Sequence, residues 1–142
     1  MKTISQLIKG QDKSIWSVSP NDSVHDAVKL LVEKNIGALL VVEQGKLVGV
    51  VSERDCARKT LLSEKPASET TVESIMTSNV IYAKPSHTIN ECMELMTDKR
   101  IRHLPIMDGD DLVCMISLGD LVKTVIAEQQ AVIEQLEHYI SG

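Results

Sequence analysis

Phenylalanine is missing from this chain of 142 residues, and one Trp (Trp16) with two Tyr (Tyr82, Tyr139) make up all of its aromatic side chains. Stacking platforms for single-stranded nucleic acid are therefore nearly absent. There is no block of basic residues either: 20 acidic against 15 basic residues leave a net charge of −5, without the field that gathers a nucleic-acid backbone. No apolar run approaches the roughly 20 residues of a membrane span. The first ten residues carry Ser5, Gln6 and Lys9, too polar and too short a stretch for an export signal. The three cysteines, Cys56, Cys92 and Cys114, form no Cys-x-x-Cys pair, and no His-x-x-x-His or carboxylate–histidine cluster suits a metal. A cytoplasmic protein with reduced thiols, no nucleic-acid partner, no membrane and no metal is expected.

What is abundant is aliphatic, and it repeats. Aligning Pro20 with Pro85 fixes an offset of 65, which also matches Val24 with Ile89, Leu30 with Leu95, Lys34 with Lys99, Ile36 with Ile101, Leu39 with Leu104 and Val41 with Ile106. A period this long signals two copies of one supersecondary unit. Each copy opens on a short β-like stretch, Ile15 to Val18 or Val80 to Ala83, stopped by proline. A helix follows, marked by Val24, Ala27, Val28, Leu31 and Val32 in copy one and by Ile89, Cys92, Met93 and Met96 in copy two. Two strands joined by a polar link come next: Ala38 to Val42 and Leu47 to Val51, then Leu104 to Met107 and Leu112 to Ile116. A second helix starts near Ser52 or Ser117. Ser63 to Thr71, polar and carrying Pro66, is the linker. The last segment, Leu118 to Tyr139, is longer than its counterpart and has an apolar side too broad for a lone exposed helix, which a partner chain or its own domain could cover.

The repeated chemistry sits where strand meets helix. Gly49 to Asp55 reads Gly-Val-Val-Ser-Glu-Arg-Asp, and Cys114 to Asp120 reads Cys-Met-Ile-Ser-Leu-Gly-Asp. A fixed carboxylate, Asp55 or Asp120, can accept hydrogen bonds from both hydroxyls of a ribose diol. The serine three residues earlier, Ser52 or Ser117, lies at a helix start whose unpartnered N–H groups attract anions. Arg54 and Arg58 add charge. The same Ser-x-x-Asp spacing is also that of a capping box, in which the aspartate satisfies the serine's own amide.

With Met76 in Ser-Ile-Met-Thr and the run Arg100 to Pro105, Arg-Ile-Arg-His-Leu-Pro, these motifs make the chain resemble a stand-alone tandem CBS-domain protein, a Bateman module, over almost its whole length. The resemblance implies an α/β (α+β) fold of two β-α-β-β-α repeats packed sheet to sheet about a pseudo-twofold axis, with a long C-terminal helix. The implied organisation is a helical lead-in (1–14), repeat one (15–62), a linker (63–73), repeat two (74–125) and a C-terminal helix extension (126–142). It also implies two crossed clefts for adenine nucleotides. In the first, Ser52, Arg54, Asp55 and Arg58 meet Val80, Ile81, Tyr82, Ala83, Ile101, Arg102, His103 and Pro105. In the second, Ser117 and Asp120 meet Trp16, Ser17, Val18, Ile36, Gly37 and Ala38. The first gathers the positive charge, His103 included, and is expected to grip phosphates better. The implied role is a non-catalytic regulatory module, without an obligatory cofactor, that binds AMP, ADP, ATP or NAD(H) and signals to a regulated protein through a homodimer. A redox-linked interaction module using Cys56 and a hydrolase using Ser52 or Ser117 are the competing readings.

Overall fold

The computed structural model describes residues 2–10 and 15–141. The chain runs α1 (Ile4–Ile8), β1 (Ser17–Val18), α2 (Val24–Lys34), β2 (Ala38–Glu43), β3 (Lys46–Ser52) and α3 (Glu53–Leu61). A 3-10 turn (Ala67–Glu69) and α4 (Val72–Ile75) precede α5 (Ile89–Lys99), β4 (His103–Asp108), β5 (Asp111–Ser117) and α6 (Leu118–Ser141). The two copies match in detail. Both hairpins are antiparallel with a register shift at the same repeat position, Val41/Val42 and Ile106/Met107. The first helix of each ends on a left-handed residue, Asn35 or Arg100.

Side-chain alternation along the strands sorts the core into layers. In β2, Leu39 and Val41 face the helices of copy one and join Val24, Ala27, Leu31, Val51 and Cys56. In β4, Leu104 and Ile106 do the same with Ile89, Cys92, Met96, Ile116 and Leu121. The residues between them turn the other way, towards the opposite copy. There Leu40 of β2 and Met115 of β5 line one space, and Val50 of β3 and Pro105 of β4 line another. The sheets thus pack face to face.

The opening strands are shorter than the sequence suggests. Ile15 to Val18 narrows to Ser17–Val18, paired parallel to Leu40 and Val41. Val80 to Ala83 forms no strand; only Ala83 makes an isolated parallel bridge, to Ile106. Proline accounts for the difference. In copy one the Leu40 N–H donates to the Trp16 carbonyl at 3.3 Å. The equivalent donor in copy two would be the nitrogen of Pro105, which has no hydrogen, so the ladder stops at Ala83.

The lead-ins exchange places. Helix α1 packs on copy two: Ile4 is fully buried in that core, its N–H donates to the His87 carbonyl at 2.9 Å, and Ser5 N–H donates to the Pro85 carbonyl at 2.8 Å. Helix α4, in the expected linker region, repeats this on copy one. Val72 N–H donates to Asp22 and Glu73 N–H to Pro20, with Val72 and Ile75 buried in that core. Of the expected lead-in, residues 1 and 11–14 lie outside the described residues, as does residue 142 of the C-terminal extension.

Replacing Ile4 with alanine is expected to cost about 2–5 kcal/mol of global stability, although it is far in sequence from copy two, because it opens a cavity in the core of that copy. Urea denaturation of the variant against the parent chain checks this.

Candidate functional site

Both Ser-x-x-Asp motifs form reciprocal caps. Asp55 N–H donates to Ser52 Oγ at 3.1 Å and Ser52 N–H to Asp55 Oδ2 at 3.1 Å. At the start of α6, Asp120 N–H donates to Ser117 Oγ at 3.1 Å and Ser117 N–H to Asp120 Oδ2 at 3.2 Å. Capping and ligand recognition do not compete here. A carboxylate has about four acceptor positions, and each cap occupies one oxygen while holding the side chain at a fixed orientation.

Two clefts flank the sheet-to-sheet contact. The larger, about 750 Å³, brings Ser52, Arg54, Asp55 and Arg58 of copy one together with Val80, Ile81, Ile101, Arg102, His103 and Pro105 of copy two. The smaller, about 390 Å³, joins Ser117 and Asp120 of copy two to Trp16, Ile36, Gly37 and Ala38 of copy one. Both volumes lie in the usual range for small-molecule sites. Four expected residues point elsewhere, because the opening segments alternate. Trp16 and Ile81 line the clefts, whereas Ser17 and Tyr82 turn to solvent and Val18 and Ala83 turn into their own cores.

Several lining residues were not among the expected site residues. In the larger cleft these include Glu53, Thr77, Asn79 and Arg100; in the smaller, Asn35, Leu40 and Met115. Alternation in β2 and β5 could have supplied Leu40 and Met115. Thr77 arrives through its bridge to Val50, with N–H···O distances of 2.9 and 3.0 Å. That bridge runs beside Gly49, where a Cβ would come within 3.1 Å of the Thr77 carbonyl oxygen.

The CBS-domain family model matches residues 8–61 and 72–127, one match per copy. This chain belongs to the CBS-domain family. A mitochondrial CBS domain-containing protein of Arabidopsis thaliana is 37% identical over 150 residues, covering 99% of this chain and 72% of the relative. The structure of a putative signal-transduction protein with CBS domains from Burkholderia ambifaria superposes with a TM-score of 0.86 at 50% identity, covering 90% of this chain and 96% of that one. The CBS domain pair of protein MJ0100, solved in complex with methylthioadenosine and S-adenosyl-L-methionine, superposes with a TM-score of 0.79 at 26% identity, covering 90% and 98%.

Charge divides the two CBS clefts. Arg54, Arg58, Arg100 and Arg102 line the larger one against a single glutamate, Glu53, beside Asp55. Among the described residues, no Lys or Arg lines the smaller cleft. At that cleft's edge the Lys34 ammonium rests 4.2 Å from the centre of the Trp16 ring, a cation–π contact on one indole face.

His103 departs from expectation. It borders both clefts, and a Cβ on Gly37 would lie 2.9 Å from its Nε2, so backbone and imidazole touch where the clefts meet. Burial lowers its pKa below the ordinary 6.5, with Arg102 acting in the same direction and Glu53 and Asp120 opposing. The imidazole is therefore neutral at pH 7 and adds no charge to the arginines. Cys56 is buried in the copy-one core, and burial first, then the Asp55 carboxylate, push its thiol up to about 11. It carries no reactive thiolate at neutral pH, which removes the physical basis of the redox-linked reading.

Because the folded histidine binds its proton less readily than the unfolded one, the unfolded chain carries more protons between the lowered pKa and 6.5, and stability drops as pH falls through that window. His103→Gln is expected to show a shallower loss of stability than the parent between pH 7.5 and 5.5 in urea denaturation. The His103 ring resonances should titrate with a midpoint below 6.5.

Proposed function

We propose that this CBS pair is a non-catalytic sensor of adenine nucleotides, AMP ahead of ADP, ATP or NAD(H), with its tighter site in the Asp55 cleft. The observation that carries this is the placement of four guanidinium groups in the larger of the two clefts, while no described Lys or Arg lines the smaller. Guanidinium binds phosphate through paired, charge-assisted hydrogen bonds. Asp55, already oriented by its cap, would take the ribose diol, and the start of α3 would add its N–H groups to the phosphate's surroundings. Arg100 strengthens the case. It holds a left-handed conformation with φ 55°, where copy one has the better suited Asn35. Such strain costs about 1 kcal/mol and tends to persist at functional positions.

The smaller cleft, with Trp16, Ile36, Leu40 and Met115 around Asp120, suits an adenosyl ligand of lower charge. Methylthioadenosine and S-adenosyl-L-methionine, the ligands solved with the CBS pair of MJ0100, are of that kind. A ligand in either cleft touches both copies, so it stabilises one relative arrangement of them to the extent that it binds that arrangement better. A regulated protein would read that change through a homodimer. A hydrolytic role is not favoured, since the Ser52 and Ser117 hydroxyls are engaged in their caps. Cys56 and Cys92, buried and outside any disulfide, fit a reducing compartment such as the cytoplasm.

Calorimetric titration with AMP is expected to show at least tenfold weaker binding in Asp55→Ala and a much smaller change in Asp120→Ala. Each variant loses the same capping contact, so the comparison cancels that effect. At 100 times its Kd, AMP should stabilise the parent chain by about 2.7 kcal/mol. Equal losses in the two variants, or no stabilisation by any adenine nucleotide, would contradict the proposal.

A further inference from the structure

Among the described residues the two clefts share His103 and Gly37, and these two touch each other. The backbone of His103 stands opposite Ser117 in the β4–β5 ladder, so both side chains leave the same face of that sheet, beside the start of α6. The ring reaches across to copy one and stops at Gly37, where an added Cβ would meet Nε2 at 2.9 Å and Cε1 at 3.1 Å. The Gly37 carbonyl in turn accepts the Glu53 N–H at 3.0 Å and so holds the start of α3. One imidazole therefore connects the helix start of the smaller cleft to the helix start of the larger.

The chemistry of the ring limits what it can do there. Neutral imidazole carries one N–H donor and one acceptor nitrogen. Glu53 from α3, Asp120 from α6 and the neighbouring Arg102 act on it through charge, but among the described residues none hydrogen-bonds to either ring nitrogen. Rotation of the ring or exchange of tautomers presents the N–H to one cleft or to the other, never to both. The repeat supplies no second ring, since copy one carries Ala38 at the matching position. Two clefts thus face a single imidazole donor.

We propose that His103 couples the two clefts, an adenosyl ligand in either one weakening the binding of a ligand in the other by taking the ring's only N–H. The coupling is reciprocal, because each ligand must change the other's affinity by the same factor. Its size is that of the hydrogen bond the second ligand forgoes, about fivefold in affinity. The pair then responds to the balance of two ligands, a phosphate-bearing nucleotide in the Asp55 cleft against a less charged adenosyl compound in the Asp120 cleft. This rests on the reading of both clefts as adenosyl sites and adds the sign of their interaction.

The test uses the full chain. Trp16, its only tryptophan, lines the smaller cleft and reports on it without a label. Titration with methylthioadenosine at pH 7.5, followed by Trp16 fluorescence, is expected to give a Kd that rises about fivefold as AMP is added and then levels off. In His103→Ala the ratio of the Kd values with and without AMP is expected to fall below about twofold, whatever happens to either affinity alone. Gly37→Ala keeps the donor but fills the place of the ring's tip, and the same fall is expected; Gly37 has no positive φ, so its backbone accepts alanine. A parent ratio near one, a ratio that survives in either variant, or a Kd that climbs in proportion to AMP without levelling, the mark of displacement from one cleft, would overturn the coupling. Failure of either ligand to bind the parent would overturn the proposed function and the coupling with it, whereas independent binding at both clefts counts against the coupling alone.

Discussion

Everything in this molecule follows from sheets that are too small to stand alone. An isolated two-stranded hairpin is marginal in water, and helices on one face of so small a sheet still leave its other apolar face open. Ala38, Leu39, Leu40 and Val41 of β2 are all buried, which one layer of helices cannot achieve. The second copy supplies the missing cover. The clefts lie between the two copies, each lined by residues of both. The binding sites are thus a by-product of the contact that stabilises the fold, which is why each is built from both copies.

The same contact explains the division of labour between equivalent positions. The duplicated caps give each cleft an oriented carboxylate. The differences lie in side chains: Arg54 against Gly119, Arg102 against Gly37, His103 against Ala38. Glycine and alanine in copy one make room for the imidazole of copy two, so one copy's small residues are the complement of the other's large one. A binding preference can shift at Arg54 and Arg102, which are exposed, without disturbing the core.

Much of this was legible in the sequence, because period and alternation are local properties. The offset of 65, the strand-to-helix motifs and the crossing inferred from family resemblance correspond to the observed arrangement of elements. What could not be read depends on tertiary placement. The exchanged lead-ins follow a different offset: Ile4 corresponds to Val72, 68 residues on, so an ungapped repeat breaks before reaching them. The shared position of His103 requires knowing how far apart the clefts are, and its neutrality follows from burial that no spacing reveals. The missing strand at Val80 to Ala83 could have been foreseen from Pro105, since the pairing partner and its absent N–H were both in the sequence.

The exchange of lead-in helices also bears on how the chain is made. During synthesis α1 emerges before either copy, yet the surface that buries Ile4 is built around Ile89, Met96 and Leu104, which leave the ribosome some 85 to 100 residues later. Copy one, by contrast, needs only α4, which follows it directly. Helix α1 therefore stays without its cover until copy two has been made, and closing that contact joins segments far apart in sequence. The lead-in acts as a latch that can be set only after both copies have formed.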